Sequence, residues 1–258
     1  MNDRTNADCV NERMQKRTNI KQPASVGASD RLRTTLRWGA VAGLLLLSTA
    51  CNSKTVLLAN FNSDTVGAPP ASAQNTGTVQ VDPGGGSVTV VDAPPGLPAN
   101  KWVHISHPTQ PSPQTGMRGV FSQFDGPGKY GLVCSLYIPS GTGAVTVQFE
   151  PFVEPNEYFG FMHLDFMPEG DVRIDDDESK RFGHFPRDQS FVLSVNLVIT
   201  STTATARATL LGSGASGDSG DININNPFAR QFGAVRFWMG FQWRGSFFAD
   251  DILVTRQN

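Results

Sequence analysis

The chain has 258 residues, a formal net charge of −2 and 39% hydrophobic residues, a composition typical of a globular protein. No basic cluster follows the first 50 residues, so nothing in the sequence indicates a nucleic-acid partner. Only three cysteines are present, which excludes a scaffold held together by many disulfides.

The first 50 residues have the pattern of an export signal. Residues 38–50 form an apolar run of 13 residues, and Arg31, Arg33 and Arg37 precede or border it. A membrane-spanning helix needs about 20 apolar residues, so this run is too short to span a bilayer. A basic flank, a brief apolar core and small residues at its end indicate a secretory signal peptide. We therefore predict that residues 1–50 are a disordered N-terminal region followed by a signal peptide.

The signal ends in the sequence LSTAC, whose last residue is Cys51. This motif resembles the lipobox of bacterial lipoproteins, in which the cysteine is lipidated and becomes the first residue of the mature protein. An ordinary signal peptide that happens to contain a cysteine is the alternative. We predict lipidation of Cys51, a tether over residues 51–55 and an anchored position in the cell envelope. Because Asn52 rather than Asp follows, we expect outer-membrane delivery if the source is Gram-negative.

The predicted mature chain is large enough for one β domain. From Cys51 to the end there are 208 residues with 13 basic and 19 acidic side chains, a net charge of −6. If Cys51 is lipidated, Cys134 has no cysteine with which to form an intrachain disulfide. The fold must then rest on its hydrophobic core, and we expect Cys134 to be a small buried side chain of that core.

The rest of the chain reads as many short strands separated by turn residues. No convincing amphipathic helix follows the signal, and this rhythm favours an antiparallel sandwich or barrel. The predicted strands are 56–61, 87–92, 101–106, 119–124, 129–138, 144–149, 158–166, 171–174, 191–200, 203–211, 234–243 and 247–255.

Alternation within two of these strands predicts which side chains face a core. In 191–200 the odd-numbered residues from Phe191 to Ile199 are apolar, and in 234–243 Val235, Phe237, Met239 and Phe241 share one face. Half-apolar strands are typical of antiparallel sheets with one side against a core. Two such sheets stacked face to face would bury both apolar sides.

The two ends of the domain carry a resemblance. The stretches LLANFNSDTVGAPP (57–70) and FFADDILVT (247–255) resemble the first and last strands of bacterial members of the concanavalin A-like lectin/glucanase superfamily. The resemblance implies an all-β, two-sheet antiparallel jelly-roll sandwich over residues 56–258, with adjacent first and last strands. It also implies a family history of carbohydrate binding. The E-x-D-x-x-E strand of the family's β-glucanases is absent, so that activity is not carried over.

The last strand contains a candidate calcium ligand. Asp250 shares its phase with Ile252 and Val254, which should face inward, so its carboxylate needs a partner. The resemblance implies that a carboxylate here can help to hold a structural Ca²⁺ with a first-strand residue, which would be Asn62. Hydrogen bonds from loop amides to Asp250 are the alternative. We expect no other cofactor.

A candidate ligand site follows from the strand faces that point away from the core. If the strands concerned lie in one sheet, an aromatic platform and convergent polar groups would share a surface, the combination that a sugar site needs. An ordinary solvated sheet face is the alternative. The candidate ligand-binding residues are Gln148, Glu150, His163, Asp165, Asn196, Arg236 and Trp238.

Three functions remain open at this point. We favour an anchored, non-catalytic lipoprotein that binds glycan or another extracellular polymer. The second hypothesis is a glycan-cleaving hydrolase or lyase that uses Glu150, His163 and Asp165. The third is a structural or adhesive surface protein with a protein partner. No residue is assigned a catalytic role, and no sequence feature indicates an oligomer.

Overall fold

The computed structural model describes residues 53–107, 112–152 and 160–257. The predicted lipidation site, Cys51, lies outside the described residues. Within these ranges, no helix has the length and apolar composition required to cross a membrane. The described residues include two short 3₁₀ helices, Glu178–Lys180 and Pro227–Gln231. The strands are β1 (Ser53–Ala59), β2 (Thr78–Asp82), β3 (Ser87–Asp92), β4 (Lys101–His107), β5 (Thr115–Val120), β6 (Gly128–Tyr137), β7 (Val145–Pro151), β8 (Met162–Phe166), β9 (Asp171–Ile174), β10 (Gly183–His184), β11 (Ser190–Ile199), β12 (Ala204–Leu211), β13 (Ser216–Asp218), β14 (Ile222–Ile224), β15 (Phe232–Met239) and β16 (Gly245–Gln257).

The described strands form two layers, and every pairing between them is antiparallel. The front sheet has the order β2–β5–β15–β7–β8–β9. The back sheet has the order β3–β4–β16–β6–β11–β12. Strands β10 and β13 join the two along one side, while β1 pairs with β16 and β14 with β12.

Aromatic side chains from both sheets meet in the core. Phe166 of the front sheet lies 5.6 Å from Phe191 of the back sheet, and Phe232 lies 5.2 Å from Tyr130 (ring centroids). These rings are buried, as are the alternating apolar residues of β11. Cys134 is 1% exposed, as predicted, and burial raises the pKa of its thiol. The packing confirms the all-β, two-sheet jelly-roll sandwich.

The first and last strands are adjacent, as the resemblance implied. The C-terminal half of β16 pairs with β1 from Ala59↔Ile252 to Ser53↔Gln257, and its N-terminal half pairs with β4. The opposite edge of β16 pairs with β6. Since β1 begins at Ser53, the regular domain starts three residues before the predicted position 56. Residues 53–55, predicted as part of the tether, therefore belong to β1.

Strand β5 begins at Thr115, four residues before the start of the predicted strand 119–124. The difference is explained by two glycines of β5, because each lets the side chain of a neighbouring strand pack against the β5 backbone. A Cβ on Gly116 would lie 2.6 Å from Cβ of Trp238, and a Cβ on Gly119 would lie 2.7 Å from Leu57 Cδ2. Glycine here allows close packing rather than a turn. Because glycine usually indicates a loop, the prediction placed the start of this strand too late in the sequence.

Removing the last strand should abolish folding. A chain that ends at Ser246 loses the part of β16 that pairs with β1 and all of its pairing with β6, including the buried Phe247, Ile252 and Val254. We expect no cooperative thermal transition by circular dichroism, because the two central back-sheet edges would be left unpaired. A cooperative transition in the shortened chain would contradict this topology.

Candidate functional site

The outer face of the front sheet carries a row of polar side chains. Strand register places Gln80, Arg118, Arg236, Gln148 and His163 opposite one another, in that order, across five strands. Residues that pair directly across antiparallel strands project from the same face. The register thus brings together three of the predicted ligand residues, Gln148, His163 and Arg236. It adds two residues that the sequence had not indicated, Gln80 and Arg118.

A second row runs parallel to the first. Asp82, Gly116, Trp238, Thr146 and Asp165 are opposite one another on the same strands. Trp238 is half-buried, whereas its neighbours on the strand are fully buried, so the indole points away from the core as predicted. Gly116 lies opposite Trp238 and, having no side chain, lets the Trp238 Cβ pack against it.

Glu150 is the centre of a buried ion network. Its Oε2 accepts a hydrogen bond of 2.5 Å from Arg118 Nε, and its Oε1 lies 3.1 Å from Arg236 Nε. Arg118 also donates to Gln80 Oε1 (3.3 Å) and to the Pro151 carbonyl (2.9 Å). Glu150 and Arg118 are 3% and 5% exposed. Charge-assisted hydrogen bonds of this kind hold both guanidinium groups in fixed positions.

A groove of about 690 Å³ lies over the two rows at the β2–β5–β15 end of the sheet. Trp238 and Phe241 supply aromatic surface, and Trp238 Nε1 has no hydrogen-bond partner among the described residues. The size falls within the range of small-ligand sites, about 300–1,000 Å³. The lining residues with polar side chains are Gln80, Asp82, Gln114, Arg118 and Arg236.

Phe241 lies in this groove, although alternation predicted it on the core face. Strand β15 ends at Met239, so the alternation stops before Phe241, which is 61% exposed. The residues Gly240 to Trp243 form a turn, closed by a hydrogen bond from Trp243 N to the Gly240 carbonyl. The glycine before Phe241 was the only sequence signal for this turn.

Asp165 holds a turn at the far side of the sheet. Its Oδ1 accepts from Thr146 Oγ1 (2.7 Å) and its Oδ2 from the Asp176 N–H (2.8 Å). Asp175 and Asp176 both have positive φ, and Asp175 Oδ1 accepts from the His163 N–H. Burial raises the pKa of Asp165, while the Thr146 hydrogen bond acts in the opposite direction. The acidic stretch 175–178 is therefore a turn that this carboxylate braces.

Asn196 does not join the other candidate residues. It is exposed on β11 of the back sheet, opposite Gly131 and Arg207. Alternation correctly placed it on a face away from the core. It could not show which of the two sheets that face belongs to, so the prediction that Asn196 shares the ligand surface is corrected.

The two proposed calcium ligands accept hydrogen bonds from neighbouring residues. Asp250 is fully buried and its Oδ2 accepts from Asn100 Nδ2 (2.5 Å), while Asn62 Oδ1 accepts from the Lys101 N–H (3.4 Å). Asp250 Oδ1 has no hydrogen-bond partner in the part of the chain that the structure describes. Burial raises the pKa of Asp250 to about 8, and the nearby Asp251 acts in the same direction.

Calcium takes six to eight oxygen ligands, which come from carboxylates, from backbone and amide carbonyls and from water. In the described part of the chain, no group of three or more His, Cys, Asp or Glu side chains could hold a metal ion. Both candidate residues accept hydrogen bonds from nitrogen donors instead. These hydrogen bonds agree with the alternative to calcium, and a structural calcium held by Asn62 and Asp250 stays a prediction.

Comparisons with known proteins give structural likenesses only. No protein-family model matches this chain. No curated protein matches it either. The catalytic domain of a glycoside hydrolase family 131 protein from Coprinopsis cinerea is 16% identical, with a TM-score of 0.48 over 80% of this chain and 98% of that chain.

Two further solved structures illustrate the range. A GH131 β-glucanase catalytic domain from Podospora anserina is 12% identical, with a TM-score of 0.48 over 78% of this chain and 96% of that chain. Arcelin-5, a lectin-like defense protein from Phaseolus vulgaris, is 8% identical, with a TM-score of 0.44 over 80% of this chain and 98% of that chain. At these identities and scores, the likenesses carry no argument about what this chain binds.

The Glu150 network yields a stability prediction. Replacing Glu150 by Gln leaves Arg118 and Arg236 buried beside a neutral amide, so we expect a loss of about 3 kcal/mol in the free energy of unfolding. The matched control is Asp218→Asn, which alters the exposed Arg207–Asp218 pair and should cost less than about 1 kcal/mol. Urea unfolding of both variants measures the two losses, and equal small losses would contradict the buried network.

Asp250 yields a pH prediction. In the folded protein its carboxyl keeps a proton up to about pH 8, whereas an unfolded aspartate loses it near pH 4. Between these values the folded state binds more protons, so the Asp250 contribution to stability falls as pH rises. Without calcium, the wild type should therefore lose stability relative to Asp250→Asn between pH 5 and pH 8.5, measured by urea unfolding.

The same pair of proteins tests calcium. If calcium raises the melting temperature of the wild type but not of Asp250→Asn, then Asp250 is a metal ligand and the hydrogen-bonded account is wrong. We expect no difference between the two responses.

Proposed function

We propose that this protein is a lipid-anchored envelope protein whose jelly-roll domain binds glycan in the Trp238 groove without cleaving it. The observation that carries the proposal is the combination of an aromatic platform with side chains fixed by the Glu150 network. Membrane attachment through Cys51 is part of the proposal and rests on the LSTAC motif.

The groove has the chemistry that a sugar ring needs. Trp238 and Phe241 offer apolar ring surface for the C–H face of a sugar. Gln80, Asp82 and Arg118 offer donors and acceptors for its hydroxyl groups. Arg118 is held by Glu150, Gln80 and Pro151, so little side-chain freedom is lost when a ligand binds.

The carboxylates of this face favour binding over cleavage. Glycosidases place two carboxyl groups about 5–10 Å apart. Glu150 lies four residues along β7 from Thr146, the partner of Asp165, an offset of about 13 Å along the strand. The oxygens of both carboxylates already accept hydrogen bonds from protein groups.

A glycan array followed by product analysis tests the proposal. The protein should bind a subset of glycans and return them unchanged. Release of shorter products would instead support the hydrolase or lyase hypothesis, with Glu150, His163 and Asp165 as its candidate residues. An absence of any glycan binding would overturn the proposal and leave the adhesive hypothesis with a protein partner.

Trp238→Ala is the direct test of the groove. Because the indole faces outward, its removal should weaken the affinity for a bound glycan by about tenfold or more, equivalent to at least about 1.4 kcal/mol. The stability loss should stay below the roughly 3–5 kcal/mol of a buried tryptophan. Calorimetric titration and thermal unfolding measure the two effects.

Phe248→Ala is the control for Trp238→Ala, because Phe248 is a partly exposed aromatic residue of the back sheet. Its removal should leave glycan affinity unchanged. Unchanged affinity in Trp238→Ala would remove Trp238 from the site.

The anchor has its own test. Cys51→Ser should release the protein from membranes, since attachment would depend on acyl chains rather than on a spanning helix. Fractionation and labelled fatty-acid incorporation measure this. If Cys51→Ser still partitions wholly with membranes and the wild type incorporates no fatty acid, the lipid anchor is refuted.

A further inference from the structure

One end of the sandwich lies next to the proposed anchor. Ser53, the first residue of β1, is two positions after Cys51, and two residues of extended chain span at most about 7 Å. Ser53 pairs with Gln257, Gln257 with Lys129, and Lys129 with Val198. We call this end, together with the loop 121–127 and the turn 200–203, the anchor end.

The loop 121–127 packs over this end through several contacts. Lys54 Nζ lies 3.2 Å from Asp125 Oδ2, and Arg256 Nη2 donates to the Pro127 carbonyl (3.0 Å). The Ser122 N–H donates to the Val56 carbonyl. The loop is thereby held against the start of β1 and the end of β16.

Two large apolar side chains are exposed at the anchor end. Phe124 in the loop is 47% exposed, and Val198 near the end of β11 is 42% exposed. Apolar side chains such as Phe can lie in the headgroup boundary of a bilayer, and a single acyl chain binds a membrane only weakly. Side chains that reach the bilayer would add to the affinity that the acyl chains supply.

Polar groups suited to phospholipid headgroups surround these apolar residues. Lys129 and Arg230 are exposed at this end, and Arg230 Nη2 reaches the Thr202 carbonyl of the turn (3.4 Å). A cavity of about 290 Å³ lies beside them, with Thr202, Asn223 and Arg230 among its lining residues. Cations near an anionic surface contribute about 1 kcal/mol each.

We propose that the anchor end docks on the phospholipid surface, with Phe124 and Val198 in the interface. This inference rests on the proposed acylation of Cys51. It adds that the domain is held in one orientation rather than tethered loosely, because almost no chain separates the acyl group from β1.

The docked orientation determines which way the Trp238 groove faces relative to the bilayer. Phe232, at the start of β15, contacts Tyr130 next to the anchor end. Trp238 lies six residues further along the same strand, about 20 Å away. A domain docked by its anchor end would therefore present the Trp238 groove away from the bilayer, toward polymers outside the membrane.

Fluorescence quenching by lipid tests this orientation. The acylated protein, from which the proposed processing at Cys51 has removed Cys9, is reconstituted in vesicles of phosphatidylethanolamine and phosphatidylglycerol that contain a headgroup nitroxide lipid. A bimane label is placed at Val198→Cys or, as the matched control, at Val66→Cys. Val66 is 46% exposed and follows β1 in the chain, and the last residue of β1, Ala59, lies about 20 Å along that strand from Ser53. Cys134 is 1% exposed and protected from the label.

We expect several-fold stronger quenching of a label at position 198 than of a label at position 66. A label at Phe124→Cys should also be quenched several-fold more strongly than one at position 66, and this variant replaces Val198→Cys if the latter fails to fold. Equal quenching in protein whose acylation is verified by mass would overturn the docked orientation and leave the lipid anchor standing. Protein that carries no acyl group would overturn both proposals.

Discussion

The pairing of the closing strand with three other strands is the constraint on which the structure depends. β16 pairs with β1 and β4 along one edge and with β6 along the other. It therefore fixes the N-terminal strand, and with it the place where the chain leaves the domain toward Cys51. It also positions the back sheet whose Tyr130 and Phe191 pack against front-sheet aromatic residues. The distance between the anchor end and the groove follows from this packing.

The front sheet shows how buried charge can organise an exposed site. Glu150 is costly to bury alone, but two guanidinium groups surround it and leave both of its oxygens paired. The network connects β5, β7 and β15, the strands that also carry Gly116 and Trp238. Fixed polar groups beside an aromatic platform are the arrangement that reduces the entropic cost of binding a sugar.

Sequence patterns correctly predicted which face of a strand most side chains occupy, but they did not predict which strands lie next to each other. The alternation around Trp238 and in β11 gave the correct orientation, because a strand repeats every two residues. It could not give sheet order, so Asn196 was grouped with residues of the other sheet. Arg118 was missed because Gly116 and Gly119 made its strand resemble a loop. Cross-strand rows such as Gln80–Arg118–Arg236 depend on register, which no single strand encodes.

The central claim is that glycan binds over Trp238, and the indole N–H signals report on it most directly. In a ¹⁵N–¹H correlation spectrum recorded during titration with a glycan identified on the array, the Trp238 indole signal should shift in proportion to occupancy. The signal of Trp102, which is buried in the back sheet, should stay in place. Saturable glycan binding that leaves the Trp238 signal unmoved would contradict the account.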